Sequence, residues 1–131
     1  IIAFQKQRRP MFGLVKDMLK EAVNKLKPSE KPIVHSDKGW QYQMAHYQRQ
    51  LSEKGLIQSM SRKGNCLDNA SMESFFGILK SECFYGEKFK TVDDLEQTVK
   101  EYIHYYNHER IKVKLKGLSP VEYRKQSLKP A

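Results

Sequence analysis

The feature that most constrains this chain is a repeated switch in the period of its apolar residues. From 11 to 26, Met11, Leu14, Val15, Met18, Leu19, Ala22, Val23 and Leu26 fall at helical spacing, with Lys16, Lys20 and Lys27 turned away from them. That spacing predicts an amphipathic helix that Pro28 brings to a stop. Short apolar runs alternate with such segments: IIAF at 1–4, PIVHSD at 32–37 and LIQSM at 56–60. Each has the length and residue types of a strand. Between the last two, residues 42–54 predict a helix with Met44, Tyr47 and Leu51 inward and Gly55 as its C-terminal stop. Strand and helix in alternation point to an α/β domain whose sheet is largely covered by helices.

The second half is more helical. SRKGNCLD (61–68) reads as a polar loop, and Asp68 or Asn69 can cap a helix that buries Met72, Phe75, Phe76, Leu79 and Cys83. A further helix opens on Thr91 and Asp94, a capping-box-like pair with Asp in place of Glu. Asp93, Asp94 and Glu96 favour its dipole, and Val92, Leu95, Val99, Ile103 and Tyr106 form its buried stripe.

Composition narrows the function classes. The chain has 131 residues, 24 Lys and Arg against 15 Asp and Glu, and a formal charge of +9. One domain over 1–131 is the expectation at that length. No apolar run is long enough to span a membrane, and the N-terminus lacks the order of a signal peptide. Cys66 and Cys83 alone exclude a disulfide scaffold or a four-Cys zinc site, so a reduced intracellular protein is expected. The positive excess suggests a polyanion such as nucleic acid, although ordinary soluble domains also carry basic surfaces. It is unevenly spread, at +5 over 1–35, +1 over 36–73 and +3 over 74–131. The chain starts at Ile1, without Met and on a strand-like run, so it is expected to be a piece of a longer protein.

The low-charge middle holds two carboxylates of interest. Asp37 ends an apolar strand just before Gly39, and Glu73 lies one turn into a helix. Carboxylates so placed in an α/β fold can converge as hard-oxygen ligands for Mg²⁺, and paired ions can serve phosphoryl transfer. Equally, an Asp at a strand end can cap a turn, and a Glu on a helix can simply face water.

Three segments together, HSDKGWQY (35–42), DNASMESFFGILKSE (68–82) and YIHYYNHERIKVKLKGLSPVEYR (102–124), resemble the catalytic core of bacterial insertion-sequence transposases, in the retroviral-integrase-like superfamily. The resemblance runs over essentially the whole chain. It implies a ribonuclease-H-like integrase core with an Asp, Asp, Glu triad, in which Asp37 is the second and Glu73 the third metal-binding carboxylate. The 35 residues between them match the separation typical of those two members. The first Asp belongs to a strand upstream of IIAF and is absent; Asp17 sits mid-helix in a different context. In the strand order 3-2-1-4-5 that the resemblance implies, IIAF, Pro32–Asp37 and Leu56–Met60 correspond to strands 3, 4 and 5. The fold is therefore expected to be incomplete, lacking its first two strands, with residues 1–5 displaced, frayed or paired with another chain while strands 4 and 5 keep their helices.

The resemblance also implies roles for neighbours. Lys80 shares a helix face with Glu73 and Gly77, where related integrases touch DNA; a solvated lysine is the alternative. Asn69 matches the Asn of the family's D-N-x-x-x-E motif and can orient Glu73, cap the helix, or both. Arg62 and Lys63 lie in a basic loop able to close on substrate or to remain plain surface. His35, two residues before Asp37, points the same way on a strand and is expected beside the site without being a ligand. Arg110, Lys112, Lys114 and Lys116 alternate with Ile111, Val113 and Leu115. An extended segment there would make either a phosphate-tracking stripe or a protective charged edge. His104 and His108 are four apart but lack further zinc ligands. Trp40 and Tyr42 could stack on bases or belong to the core.

The expected activity is DNA cleavage at element ends and strand transfer to target DNA, on two Mg²⁺ (or Mn²⁺) ions in the full-length enzyme, with this piece inactive alone. The expected setting is a homo-oligomer on DNA, cytoplasmic and nucleoid-associated, with no membrane partner. The alternatives are a non-catalytic DNA-binding or dimerisation module and, more distantly, an α/β domain unrelated to DNA.

Overall fold

The computed structural model describes residues 1–6, 9, 11–62 and 70–129. The chain divides into two compact units, Ile2–Ser74 and Phe75–Ala131 with Ile1.

The first unit carries α1 (Phe12–Asn24), β1 (Ile33–Ser36), α2 (Trp40–Gln43), α3 (Ala45–Glu53), β2 (Ile57–Met60) and the opening of α4 (Ala70–Leu79). β1 and β2 pair in parallel, Ile33 opposite Ile57 through Ser36 opposite Met60. Parallel neighbours cannot be joined by a hairpin, so α2 and α3 form the crossover between them. Val15 and Leu19 from α1 meet Tyr47 and Leu51 from α3 and Leu56 at the head of β2, and Val34 and Tyr42 pack on their margin. Both helices contribute residues four apart, the spacing that stacks two side chains on one face.

The turn from α3 into β2 is closed at Gly55, whose φ of +66° is the left-handed conformation open to glycine. The Leu56 N–H bonds the Leu51 carbonyl (3.0 Å) and the Gly55 N–H bonds the Ser52 carbonyl (2.9 Å), the double bond of a Schellman motif. Leu56 and Leu51 then bury together, so the cap and the core are one feature.

Residues 1–6 form no strand despite the strand composition of IIAF, as expected of a segment without its neighbours, because a short apolar run with no adjacent strand leaves its backbone groups unpaired. Instead the segment is tethered to α1, where Lys25 Nζ donates to the Ile2 carbonyl and Gln5 Nε2 to Glu21 Oε2. The helix expected over 42–54 is broken at Met44, which is extended (φ −68°, ψ 138°) and 37% exposed. Gln58 Nε2 takes the Tyr42 carbonyl at 2.7 Å, a group that an unbroken helix would have bonded itself.

The second unit contains the rest of α4, a π-helical turn (Lys80–Phe84), α5 (Val92–His108), a 3₁₀ turn (Val113–Leu115) and α6 (Pro120–Ser127). Phe75 packs edge-on against Tyr106 (4.9 Å between centroids), and Cys83, Tyr102 and Ile103 are buried. Met72 and Phe76, expected inside, are half exposed. The inward line of α4 runs through Phe75, Leu79 and Cys83, and Met72 and Phe76 occupy the adjacent line. In α5, Ile103 and Tyr106 are buried as expected, Tyr102 joins them, and Val92 at the first turn is exposed.

Both helix starts in this unit are capped by side chains. Thr91 Oγ1 accepts from the Asp94 N–H (3.1 Å). Ser119, fully buried, forms a true capping box: its Oγ accepts from the Glu122 N–H while Glu122 Oε2 accepts from the Ser119 N–H at 2.9 Å.

A charge-assisted knot holds the π turn to α5. Arg110 forks onto Glu82, with Nε 2.8 Å from Oε2 and the terminal nitrogen 2.6 Å from Oε1, and the Tyr102 hydroxyl donates to Oε2 at 2.6 Å. The hydrogen bond from Arg110, then that from Tyr102, draws the Glu82 carboxyl below its ordinary range.

Two predictions follow from these contacts. Leu51→Ala should remove about 2–5 kcal/mol from the unfolding free energy, because Leu51 is 1% exposed and braces the cap as well as the core; urea titration measures it. Glu82 ionises more readily folded than unfolded, so its contribution is complete above the ordinary carboxylate range and disappears as pH falls through the lowered value. Glu82→Gln should therefore flatten the acid limb of a stability–pH profile, leaving a smaller drop between neutral and strongly acidic pH than in the parent.

Candidate functional site

Asp37 stands immediately after the last residue of β1, at the carboxyl end of the parallel pair. Its position is reinforced by a stitched strand end. The Ser61 N–H continues the ladder onto the Ser36 carbonyl at 2.8 Å, and Ser61 Oγ bonds the same carbonyl at 3.3 Å. His35 bridges the two strands, its Nδ1 3.0 Å from Ser59 Oγ and its Nε2 3.1 Å from Ser61 Oγ. Thus His35 holds β1 against the residues that follow, two positions before Asp37.

The Asp37 carboxylate folds back on its own turn. Oδ1 accepts from the Gly39 N–H at 2.7 Å, and Oδ1 would lie 3.0 Å from a Cβ at position 39. A Cβ at 39 would also press on the side chains of Gln41 and Tyr42, so Gly39 relieves a tight contact, while its φ lies in the ordinary negative region. Burial chiefly, and the Asp37 charge after it, push the pKa of the Tyr42 phenol up, so that it ionises less readily than an ordinary tyrosine. Tyr42 belongs to the core margin, whereas Trp40 is 55% exposed and follows the carboxylate on the surface.

Glu73 lies in the first turn of α4, exposed, and among the described residues makes no hydrogen bond or ion pair. A carboxylate there is favoured by the helix dipole. Gly77, one turn on, has open space around its Cβ position, so packing does not require it. Lys80 opens the π turn and is exposed. Arg62 is exposed just beyond β2, and Lys63 and Asn69 lie outside the described residues.

As oxygen donors, Asp37 and Glu73 suit a hard cation such as Mg²⁺. Their number does not complete a site: among the described residues, no group of three or more His, Cys, Asp and Glu is gathered for a metal ion. His104 and His108 lie close, with ring centroids 4.6 Å apart, on the exposed side of α5.

The basic segment 110–116 does not take the extended form that would align its cations. Lys112 pairs with Leu118 in an isolated antiparallel bridge, residues 113–115 make a 3₁₀ turn, and Lys116 is left-handed at φ +58°. Alternation therefore does not set four cations along one edge. Arg110 is occupied by Glu82, and the Lys112 ammonium lies 4.6 Å over the Tyr106 ring while donating to its hydroxyl. Lys114 and Lys116 remain exposed on the turn.

Several of these partners went unread in the sequence. The Glu82–Arg110 and Lys112–Tyr106 contacts are long-range or turn-dependent and leave no local pattern. The capping box at Ser119–Glu122 did leave one, S-P-V-E, with Pro at the first helical position.

Comparison with known proteins agrees with this geometry. Two domain families, both described as Integrase core domain, match residues 1–66 and 73–128. An uncharacterized transposase-like protein of Haemophilus influenzae is 62% identical over 128 residues, covering 98% of this chain and 59% of the relative. The putative transposase InsK for insertion sequence element IS150 of Escherichia coli K12 is 55% identical over 130 residues, 99% of this chain and 46% of its own length. The transposase InsF for insertion sequence IS3fB from the same organism is 41% identical over 129 residues, 98% and 45%. The chain thus spans about half the length of these curated relatives. No solved structure matches it. Carrying a parallel strand pair that ends on Asp37, and matched over both halves, the chain belongs to the integrase core domain family, which implies a ribonuclease-H-like fold.

Proposed function

We propose that the chain is the C-terminal part of the catalytic core of an insertion-sequence transposase, which cleaves DNA at element ends and transfers the freed strand to target DNA. The observation that carries this reading is the placement of Asp37 at the carboxyl end of β1 and Glu73 in the first turn of α4, within a chain matched to the family on both sides of that helix start. On this reading Asp37 and Glu73 are two of three carboxylates that hold a pair of Mg²⁺ or Mn²⁺ ions. The third, with the two strands that would complete a 3-2-1-4-5 sheet, comes from outside these 131 residues. The bound ions would activate the attacking oxygen and stabilise the leaving one.

The chain's own groups have simpler duties. The Gly39 N–H restrains one oxygen of Asp37, leaving the other oxygen for an outside partner. Lys80, Lys114 and Lys116, with Arg62 and Lys63, contact DNA phosphates, which position the duplex without reading its sequence. Arg110 and Lys112 are engaged with Glu82 and Tyr106. Action on two DNA ends calls for a homo-oligomer assembled on DNA, in the cytoplasm at the nucleoid. Because the donor set is short by one, the 131 residues alone act as a DNA-binding module.

Three outcomes test this. The 131-residue chain should bind duplex DNA with an affinity that falls with salt, and should not cleave it in Mg²⁺ or Mn²⁺. A transposase containing this segment should lose strand cleavage on Asp37→Asn or Glu73→Gln while still retarding DNA in a gel; cleavage by either variant at the parental rate would sink the carboxylate assignment. Replacing Lys114 and Lys116 together by Ala should lower the slope of log affinity against log salt by about two, an unchanged slope removing both from the interface.

A further inference from the structure

The π-helical turn that ends α4 is an unusual local structure with a dedicated restraint. It closes through the Tyr85 N–H to the Lys80 carbonyl at 2.8 Å, a span of five residues. Such turns are rare, arise inside or at the end of α-helices, and need compensation from elsewhere in the fold. Here the compensation falls on Glu82, in the middle of the turn, where the Arg110 fork and the Tyr102 hydroxyl converge on one carboxylate. Residues two apart on a helical turn point to different sides. With Glu82 drawn onto α5, Lys80 is left outward, exposed and without a partner among the described residues.

We propose that Glu82 is a positioning residue: clamped by Arg110 and Tyr102, it fixes the π turn and thereby holds Lys80 where its ammonium meets a DNA phosphate. The proposal rests on the reading of Lys80 as a phosphate contact, and it places Arg110 behind the DNA surface instead of on it. Charge makes the claim sharp. Glu82 is an anion two residues from a DNA-contacting cation, so its removal should tighten DNA binding if long-range electrostatics were all that mattered. Positioning predicts the opposite sign.

The experiment uses the 131-residue chain and a short mixed-sequence duplex, with affinity measured by fluorescence anisotropy across a salt series. Thermal melts certify that each variant is folded at the assay temperature. Lys80→Ala should lower the salt slope by about one. Glu82→Gln should weaken binding and lower the slope by the same amount, and the double variant should match Lys80→Ala alone, since the lost contact can be lost only once. Arg110→Lys keeps the charge and breaks the fork, so it should reproduce Glu82→Gln and substitutes for it if that variant does not fold. A slope lowered by Lys80→Ala but untouched by Glu82→Gln and Arg110→Lys, or tighter binding by Glu82→Gln, overturns the clamp and leaves the Lys80 contact standing. An unchanged slope in Lys80→Ala overturns the Lys80 contact itself, and the clamp with it.

Discussion

The parallel pairing of β1 with β2 is the contact on which the candidate site depends. Two four-residue strands make few hydrogen bonds, and parallel strands cannot hold each other through a tight turn. Their register must be imposed from outside the ladder. α3 returns the chain, Gly55 closes its end in a left-handed conformation, and Leu56 buries against Leu51 directly before β2 begins. At the far end Ser61 adds a bond to the Ser36 carbonyl, and His35 ties itself to Ser59 and Ser61. Asp37 inherits its position from this chain of restraints. A slip of one residue would turn every side chain of β1 to the opposite face and carry His35 away from both serines.

Asp37 and Glu73 are held in different ways. Asp37 is restrained by its own turn, with one oxygen on the Gly39 N–H and only tight space for a Cβ at 39. Glu73 is placed only by the helix that bears it, exposed and without a described partner. A carboxylate bound by backbone is preorganised, whereas one on a helix surface is free to answer a cation or a nucleic-acid partner.

How much of this was legible in the sequence depends on the range of the forces involved. Local periodicity found α1, both sheet strands, α3 and α5, because spacing alone determines which face is apolar. It placed Tyr47, Leu51, Ile103 and Tyr106 inside correctly. It failed where a partner from elsewhere decided the outcome. IIAF has strand composition but no neighbour, Met44 has helical spacing but loses its helix to the Gln58 side chain on Tyr42, and Met72 and Phe76 sit one line away from the buried face of α4. The spacing of Asp37 and Glu73 was readable only through family resemblance, since composition and periodicity treat both as ordinary polar residues.

The basic segment after α5 shows why counting charges misleads. Alternating cations and aliphatics predict an edge, yet Gly117 at φ +72° and Lys116 at φ +58° turn the chain back so that Lys112 can pair with Leu118. Two consecutive left-handed residues cannot lie within an extended strand. The turn separates the cations by role. Arg110 spends its charge on Glu82, Lys112 lies against the Tyr106 ring, and Lys114 and Lys116 are carried outward at the tip. Glu82 matches the charge of Arg110, whereas the neutral Tyr106 phenol covers Lys112 without cancelling its charge, so a polyanion approaching this turn would find Lys114 and Lys116 the most accessible cations. The formal +9 is therefore a poor measure of the binding surface, and the fold decides which of its charges a phosphate can reach.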